Sequence, residues 1–541
     1  MMTSTPPITG STGKLCGRYE AGKRVAVFKG VPYARPPVGE LRWRPPQPVL
    51  PWQGVRQTVK YGPTAFQLET GLGVFLNALV DGLGYRRLKT RLLKLLLSHI
   101  PAPKASEDCL YLNIRTPHLD SQASLPVMVW IHGGDHQDGA GSDLPYQTNA
   151  LVHQGVVLVT INYRLGLLGY FAHPELSLES GRDVSGNYGT LDQIAALRWV
   201  GENIAAFGGD PDNITIFGES AGGESVAHLL TSPLSRGLFH RAIIQSPANG
   251  GQMLLLKRPF LNHPAAEQSG QDFAAKLVGS LPGQLARLRQ IPAEKLYEFL
   301  RKQEQSSFYP VIDGYVLEKS PFQAFLDGEQ ARLPLMVGSN ADEGTLLYPN
   351  IRSPLVEYAG HLFTPQELNR IIHEEFGEEA GTLFDLYPGL REGDYAARLA
   401  LLGDSLIGAP ARFYALQAAR AGQPVFLYFF TRTPPSPKQT AGAFHFAETP
   451  YIFESANPLF PMDADDHAFA KRMGAYWVQF ARRGDPNCKP HPEWPAFTVE
   501  NQVQMELGDQ VEATTVGRVA AFDLLDRRRL RQIGLLDKIK F

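Results

Sequence analysis

Short runs of β-branched and apolar residues, bounded by glycine and polar residues, recur at 127–131, 156–162, 214–217, 333–338 and 425–430. That is the pattern of strands buried on both faces. Between the second and third runs, apolar residues return at helical spacing through Ile194, Leu197, Val200 and Ile204, and the segment 191–207 stops at Gly208-Gly209. A short helix is predicted over 223–231, with Val226, Leu229 and Leu230 on one side, and a long amphipathic one over 467–483, closed by Gly484. Alternation of this kind predicts an α/β fold with a large, mostly parallel sheet flanked by helices. Two stretches break the pattern: 70–103, and 254–307, which reads as a helical, peripheral insertion. No repeat, low-complexity tract or linker intervenes, so residues 1–541 are read as one elaborated domain.

Composition narrows the function more than the fold. Hydrophobic residues at 43% and charged residues at 20% suit a chain with a large core. The formal charge of -2 gives no global field to gather nucleic acid. Cys16, Cys109 and Cys488 are odd in number and far apart, which suggests neither a disulfide framework nor a zinc cluster. Residues 1–10 are polar and carry Pro6 and Pro7, unlike a secretory signal, so a cytoplasmic location is expected. The apolar stretch 92–100 is interrupted by Lys94 and is far short of a membrane span. No cofactor is indicated.

The strand at 214–217 runs straight into Gly218-Glu219-Ser220-Ala221-Gly222, and the predicted helix follows at once. A sharp strand-to-helix turn of this kind lifts a serine out of the sheet as a nucleophile, and small flanking residues let the backbone make the turn. A bare G-x-S-x-G also occurs in ordinary turns, so its surroundings decide. Residues 207–222 read FGGDPDNITIFGESAG, 107–117 read EDCLYLNIRTP, and 28–34, 162–166, 186–189 and 484–487 read FKGVPYA, NYRLG, GNYG and GDPN. Together these stretches resemble the signatures of the type-B carboxylesterase and cholinesterase family of α/β-hydrolases. The likeness covers most of the chain and weakens in 70–103, in 254–307 and after about Phe497.

A serine hydroxyl needs a histidine base, and that histidine needs a carboxylate to fix its tautomer. His445, in GAFHFAETPYIF (442–453), matches the family's histidine loop, and GSNADEG (338–344) follows a predicted strand and resembles the loop that carries the acid. The resemblance implies a triad of Ser220, Glu343 and His445, with Asp342 as the alternative acid. The order serine, acid, histidine is that of α/β-hydrolases. The turn HGGDH (132–136) after the strand 127–131 is the place for an oxyanion hole. By resemblance the N–H groups of Gly134, Asp135 and Ala221 form it, although the family has a small residue where Asp135 stands. The ligand types His132, Asp135, His136 and Asp138 invite a metal reading, but Gly133-Gly134 argues against the helix that would align the histidines, and no metal is expected. Glu219 is placed by resemblance near the leaving group, against the plainer reading of a polar turn residue, and Glu224 reads as a solvated helix position.

Other positions read as architecture. Arg42 with Glu107, and Arg164 with Asp192, match family ion pairs. Cys109 matches a cysteine whose family partner falls in GPTAFQ (62–67), where this chain has Ala65, so a free thiol is expected. In 70–103, Leu88, Leu92, Leu95 and Leu96 fall on one face of a predicted helix, with Arg87, Lys89, Arg91 and Lys94 largely elsewhere. The helix either packs on the body, or forms a lid that favours lipophilic esters or rests on a membrane surface. The segment contains no Trp, against the choline site of a cholinesterase. A non-catalytic adhesion relative would lack triad members, and this chain keeps all three. The expected function is hydrolysis of small-molecule carboxylic esters through an acyl-enzyme, with no nucleic-acid partner.

Overall fold

Val127, Met128, Val129, Trp130 and Ile131 are all fully buried, as residues of a parallel-paired strand covered on both faces are. This computed structural model describes residues 3–20, 25–67, 80, 87–98, 104–248, 253–261, 263–303, 308–347, 364–433, 440–456 and 460–538. The chain forms two compact units, the first comprising 1–71, 102–242 and 253–321, and the second 72–101, 243–252 and 322–541.

In the first unit, β1 (Arg18–Glu20), β2 (Val25–Pro32), β3 (Tyr111–Thr116), β4 (Leu125–Ile131), β5 (Val157–Ile161) and β6 (Gly209–Glu219) lie in the order β6-β4-β5-β3-β2-β1. β4 pairs in parallel with β5 and β6, whereas β3, β2 and β1 continue antiparallel. β6 is longer than the apolar run 214–217 that predicts it. Its early part pairs through a register shift between Leu125 and Val127, opposite the stretch where Pro211 has no N–H for the ladder. Helix α1 (Tyr188–Asn203) starts three residues before the periodic run and passes through a 3-10 turn, Ile204–Phe207, to Gly208, whose φ of 83° ends it in the left-handed region. Helix α2 (Ala221–Thr231) follows β6. Within 254–307 lie α3 (Ala266–Val278), α4 (Gln284–Gln290) and α5 (Ala293–Leu300). Their Phe273, Leu288 and Leu296 share one apolar cluster with Trp43, Leu167 and Phe171.

Two charge pairs brace this unit. Arg42 donates to both oxygens of Glu107 at 2.6 and 2.7 Å, and Arg164 to both of Asp192 at 2.7 Å. Such forked pairs match guanidinium to carboxylate geometry and fix segments distant in sequence. Cys109 is a buried free thiol, and burial pushes its pKa far above the ordinary thiol value, so it is chemically quiet.

In the second unit, β7 (Arg241–Gln245), β8 (Leu335–Asn340), β9 (Val425–Phe430), β10 (Val503–Leu507) and β11 (Val511–Thr515) lie in the order β11-β10-β9-β8-β7. β8, β9 and β10 pair in parallel and β11 returns antiparallel. Helix α6 (Ala409–Arg420) packs on β8 and β9. Helix α7 (Ala464–Arg483) begins three residues before the predicted 467, because Asp463 and Asp466 form a reciprocal capping box. It ends at Gly484 as the sequence indicates, with φ 75°. Of the segment 70–103, only Val80 and the helix Arg87–Ser98 are among the described residues, and the rest of the proposed lid lies outside them.

Candidate active site

β6 delivers Ser220 to the start of α2 with φ 57° and ψ -126°, a conformation that costs a non-glycine residue about 1–3 kcal/mol. The neighbouring glycines make it sterically feasible. A Cβ at Gly218 would lie 2.6 Å from the Ile131 carbonyl oxygen, and one at Gly222 would strike the same atom. The serine is thus held where β4, β6 and α2 converge. The first helical bond runs from Glu224 N–H to the Ser220 carbonyl at 2.9 Å, so the N–H of Ala221 lies in the open first turn of α2. Glu219 is buried, and its carboxylate lies against Gly133, where a Cβ would meet Oε2 at 3.2 Å.

After β4 the chain makes the tight turn 134–137. Gly134 has φ 103°, Asp135 and His136 both have φ 55°, and the Gly134 carbonyl accepts from the N–H groups of Gln137 and Asp138 at 2.9 Å. Two positive-φ residues in the centre are the mark of a primed turn, which is unusual for histidine. Side chains hold them there. The exposed Asp135 accepts from Tyr309 Oη at 2.8 Å, and His136 Nε2 lies 3.0 Å from Glu224 Oε2.

Glu224 is therefore not a solvated helix position. With 15% side-chain exposure, it sits one turn beyond Ser220 and anchors the turn 134–137 through His136. The residues considered as metal ligands turn to separate partners. His132 Nδ1 lies 2.8 Å from the Gly133 carbonyl, its ring stacks on Tyr163, and burial lowers its pKa to about 4. Among the described residues, no group of three or more His, Cys, Asp or Glu is arranged to hold a metal.

In the second unit the acid and histidine loops are laced together. The isolated bridge Asp342↔Phe444 joins them, and the Asp342 carboxylate accepts the N–H of Ala443 at 2.8 Å. A Cβ at Gly442 would run into that carboxylate, which explains the glycine. Asp342 thus shapes the loop, and Glu343 faces the histidine: Glu343 Oε2 lies 2.6 Å from His445 Nδ1, with both residues buried. Glu343 Oε1 accepts from Ser246 Oγ and from Asn340 N–H, each at 2.7 Å.

Behind this pair is a second buried carboxylate, Glu448, which accepts from Asn340 Nδ2 at 2.7 Å and from Gln245 Nε2 at 2.9 Å. Burial, with the charge of Glu343 adding to it, raises the Glu448 pKa against the pull of the Asn340 bond. Ser246, Glu448 and Tyr309 are absent from the sequence-level picture of the site, and Glu224 enters it only as a solvated helix position. The signal available for Ser246 is its place two residues after the apolar run 242–244, just past the end of a strand too short for the apolar pattern to predict.

The sequence pattern of the carboxylesterase family matches residues 4–522. Among curated proteins, a fumonisin B1 esterase of Sphingopyxis macrogoltabida is 36% identical over 498 residues, 90% of this chain and 84% of that protein. A para-nitrobenzyl esterase of Bacillus subtilis (strain 168) is 34% identical over 519 residues, 93% of this chain and 95% of that one. A PNB esterase of solved structure superposes with a TM-score of 0.76 at 31% identity, covering 96% of this chain and 99% of its own. The shared fold is that of the α/β-hydrolases. With esterases matching it over nine-tenths of its length, the chain belongs to the carboxylesterase family and is a carboxylic ester hydrolase.

Proposed function

We propose that ester hydrolysis here proceeds through an acyl-enzyme on Ser220, with His445 as general base and acid, Glu343 as its orienting carboxylate, and the N–H groups of Gly134, Asp135 and Ala221 as the oxyanion hole. The observation that carries this reading is the backbone of Ser220, a non-glycine residue held at φ 57° between a strand and a helix. The Glu343–His445 contact supports it, because a carboxylate on Nδ1 leaves Nε2 as the basic atom.

Nε2 takes the Ser220 proton as Oγ attacks the ester carbonyl, and the tetrahedral oxyanion forms against the backbone donors. The intermediate expels the alcohol, which leaves with the proton from His445. Water, deprotonated by the same nitrogen, then attacks the acyl-enzyme, and the acid departs with Ser220 restored.

The substrates of this reading are small carboxylic esters, lipophilic ones included. p-Nitrobenzyl and p-nitrophenyl esters from acetate to palmitate, run beside choline ester and amide substrates, test it. Burst release of nitrophenol from wild type and its loss in Ser220→Ala are expected. Undiminished turnover in Ser220→Ala would remove the serine from the mechanism, and a choline ester preferred over all others would reassign the substrate class.

A further inference from the structure

The helix Arg87–Ser98 exposes what a folded surface ordinarily covers. Leu88 is 81% exposed, Leu92 53% and Leu95 55%. At 3.6 residues per turn these three fall within an arc of about 60°. Arg91 and Lys89, both exposed, lie on either side of that arc. Leucines in a ridge with cations at its margins are how a helix lies in a lipid interface, apolar ridge down and ammonium or guanidinium groups at headgroup level.

The surrounding sequence sharpens the choice of partner. Between Asp81 and Glu107 there is no acidic residue, while Arg86, Arg87, Lys89, Arg91, Lys94 and Lys104 are all basic, in a chain whose overall charge is -2. A neutral apolar partner would not call for such a segregated charge, but an anionic surface would. No described helix is long and apolar enough to cross a membrane, so contact through this helix would be peripheral.

We propose that the Arg87–Ser98 helix docks the enzyme on the surface of an anionic lipid bilayer, with Leu88, Leu92 and Leu95 entering the interface and Lys89 and Arg91 meeting lipid phosphates. The proposal is independent of which residues carry out ester hydrolysis. Each cation near such a surface strengthens partitioning by about fivefold, and the effect is screened by salt.

The test is sedimentation of the full-length protein with vesicles of phosphatidylcholine alone or mixed with phosphatidylglycerol, at low and high salt. Wild type is expected to sediment with the mixed vesicles at least about tenfold more tightly than with phosphatidylcholine, and to be released by salt. Lys89→Glu with Arg91→Glu should weaken binding by about twentyfold or more. Leu88→Gln with Leu92→Gln should abolish it, with acetate ester turnover and thermal unfolding unchanged because both side chains are exposed. Wild type that stays in the supernatant with both vesicle types overturns the proposal, as does binding that survives both double variants. A wild-type dimer in vesicle-free solution that Leu88→Gln with Leu92→Gln converts to monomers also overturns it, since a second copy then covers the ridge.

Discussion

Glu343 is held at both carboxylate oxygens: Oε2 lies 2.6 Å from His445 Nδ1, and Oε1 is fixed by Ser246 Oγ and Asn340 N–H at 2.7 Å. In the proposed mechanism these bonds keep the Glu343 carboxylate on one nitrogen of His445 before any substrate arrives. Glu343→Gln retains the shape but not the charge, and is expected to lower kcat by about 10²–10⁴-fold. Ser246→Ala removes one support and should cost about five- to tenfold in kcat with little change in KM. Steady-state kinetics on one nitrophenyl ester checks both. Equal, small losses would mean that the carboxylate has no electrostatic role.

As the proposed general base, His445 has to be neutral at Nε2 to accept a proton. kcat/KM is therefore expected to rise with pH as the base loses its proton and then level off. In Glu343→Gln the same limb should shift to lower pH, because the imidazolium loses the carboxylate that stabilises it. A pH–rate profile with the limb unmoved would separate Glu343 from the base.

The turn 134–137, proposed to carry oxyanion donors, makes a different prediction. His136 is pinned in a positive-φ conformation by Glu224, one helical turn after Ser220. Glu224→Ala leaves a buried imidazole without this partner and frees the turn, so kcat should fall by about tenfold or more while KM holds. Asp135→Gly should be tolerated on neutral esters, since φ 55° suits glycine. A large gain in kcat there would show that the native carboxylate had opposed the developing charge.

Much of this architecture is legible in the sequence. The buried strands announce themselves as continuous apolar runs because both of their faces are covered, and the elbow is readable because Gly218 and Gly222 are sterically required beside the Ile131 carbonyl. Strand β7 is less visible: its apolar run is short and is followed by Gln245 and Ser246, polar residues that are buried where they bond Glu448 and Glu343. Glu224 misleads for the same reason. A carboxylate at a helical position reads as solvent-facing unless its partner is known, and His136 lies 88 residues away. Exposure of Leu88, Leu92 and Leu95 is likewise invisible to periodicity, which finds a helix face but not what the face meets.

Two buried imidazoles set an acid limit on stability. Burial lowers the pKa of His132 from 6.5 to about 4 and that of His228 to about 3. Below pH 6.5 the unfolded chain binds a proton at each site that the folded chain refuses, so the contribution of these two groups to stability is full above 6.5 and declines as pH falls toward those values. Each contributes on the order of a few kcal/mol across its window. Relative to wild type, the denaturant midpoint of His228→Gln should lose less, or gain more, as pH falls from 6.5 to about 4. Identical slopes would mean that His228 is protonated in the fold.

The claim that Ser220 forms the covalent intermediate is tested most directly by labelling with an organophosphate and locating the adduct by peptide mass spectrometry. One adduct per chain is expected, on the peptide that contains Gly218-Glu219-Ser220-Ala221-Gly222, with activity lost in proportion and no labelling in Ser220→Ala. An inactivating adduct on any other serine, or stoichiometric labelling of Ser220→Ala, would contradict the account.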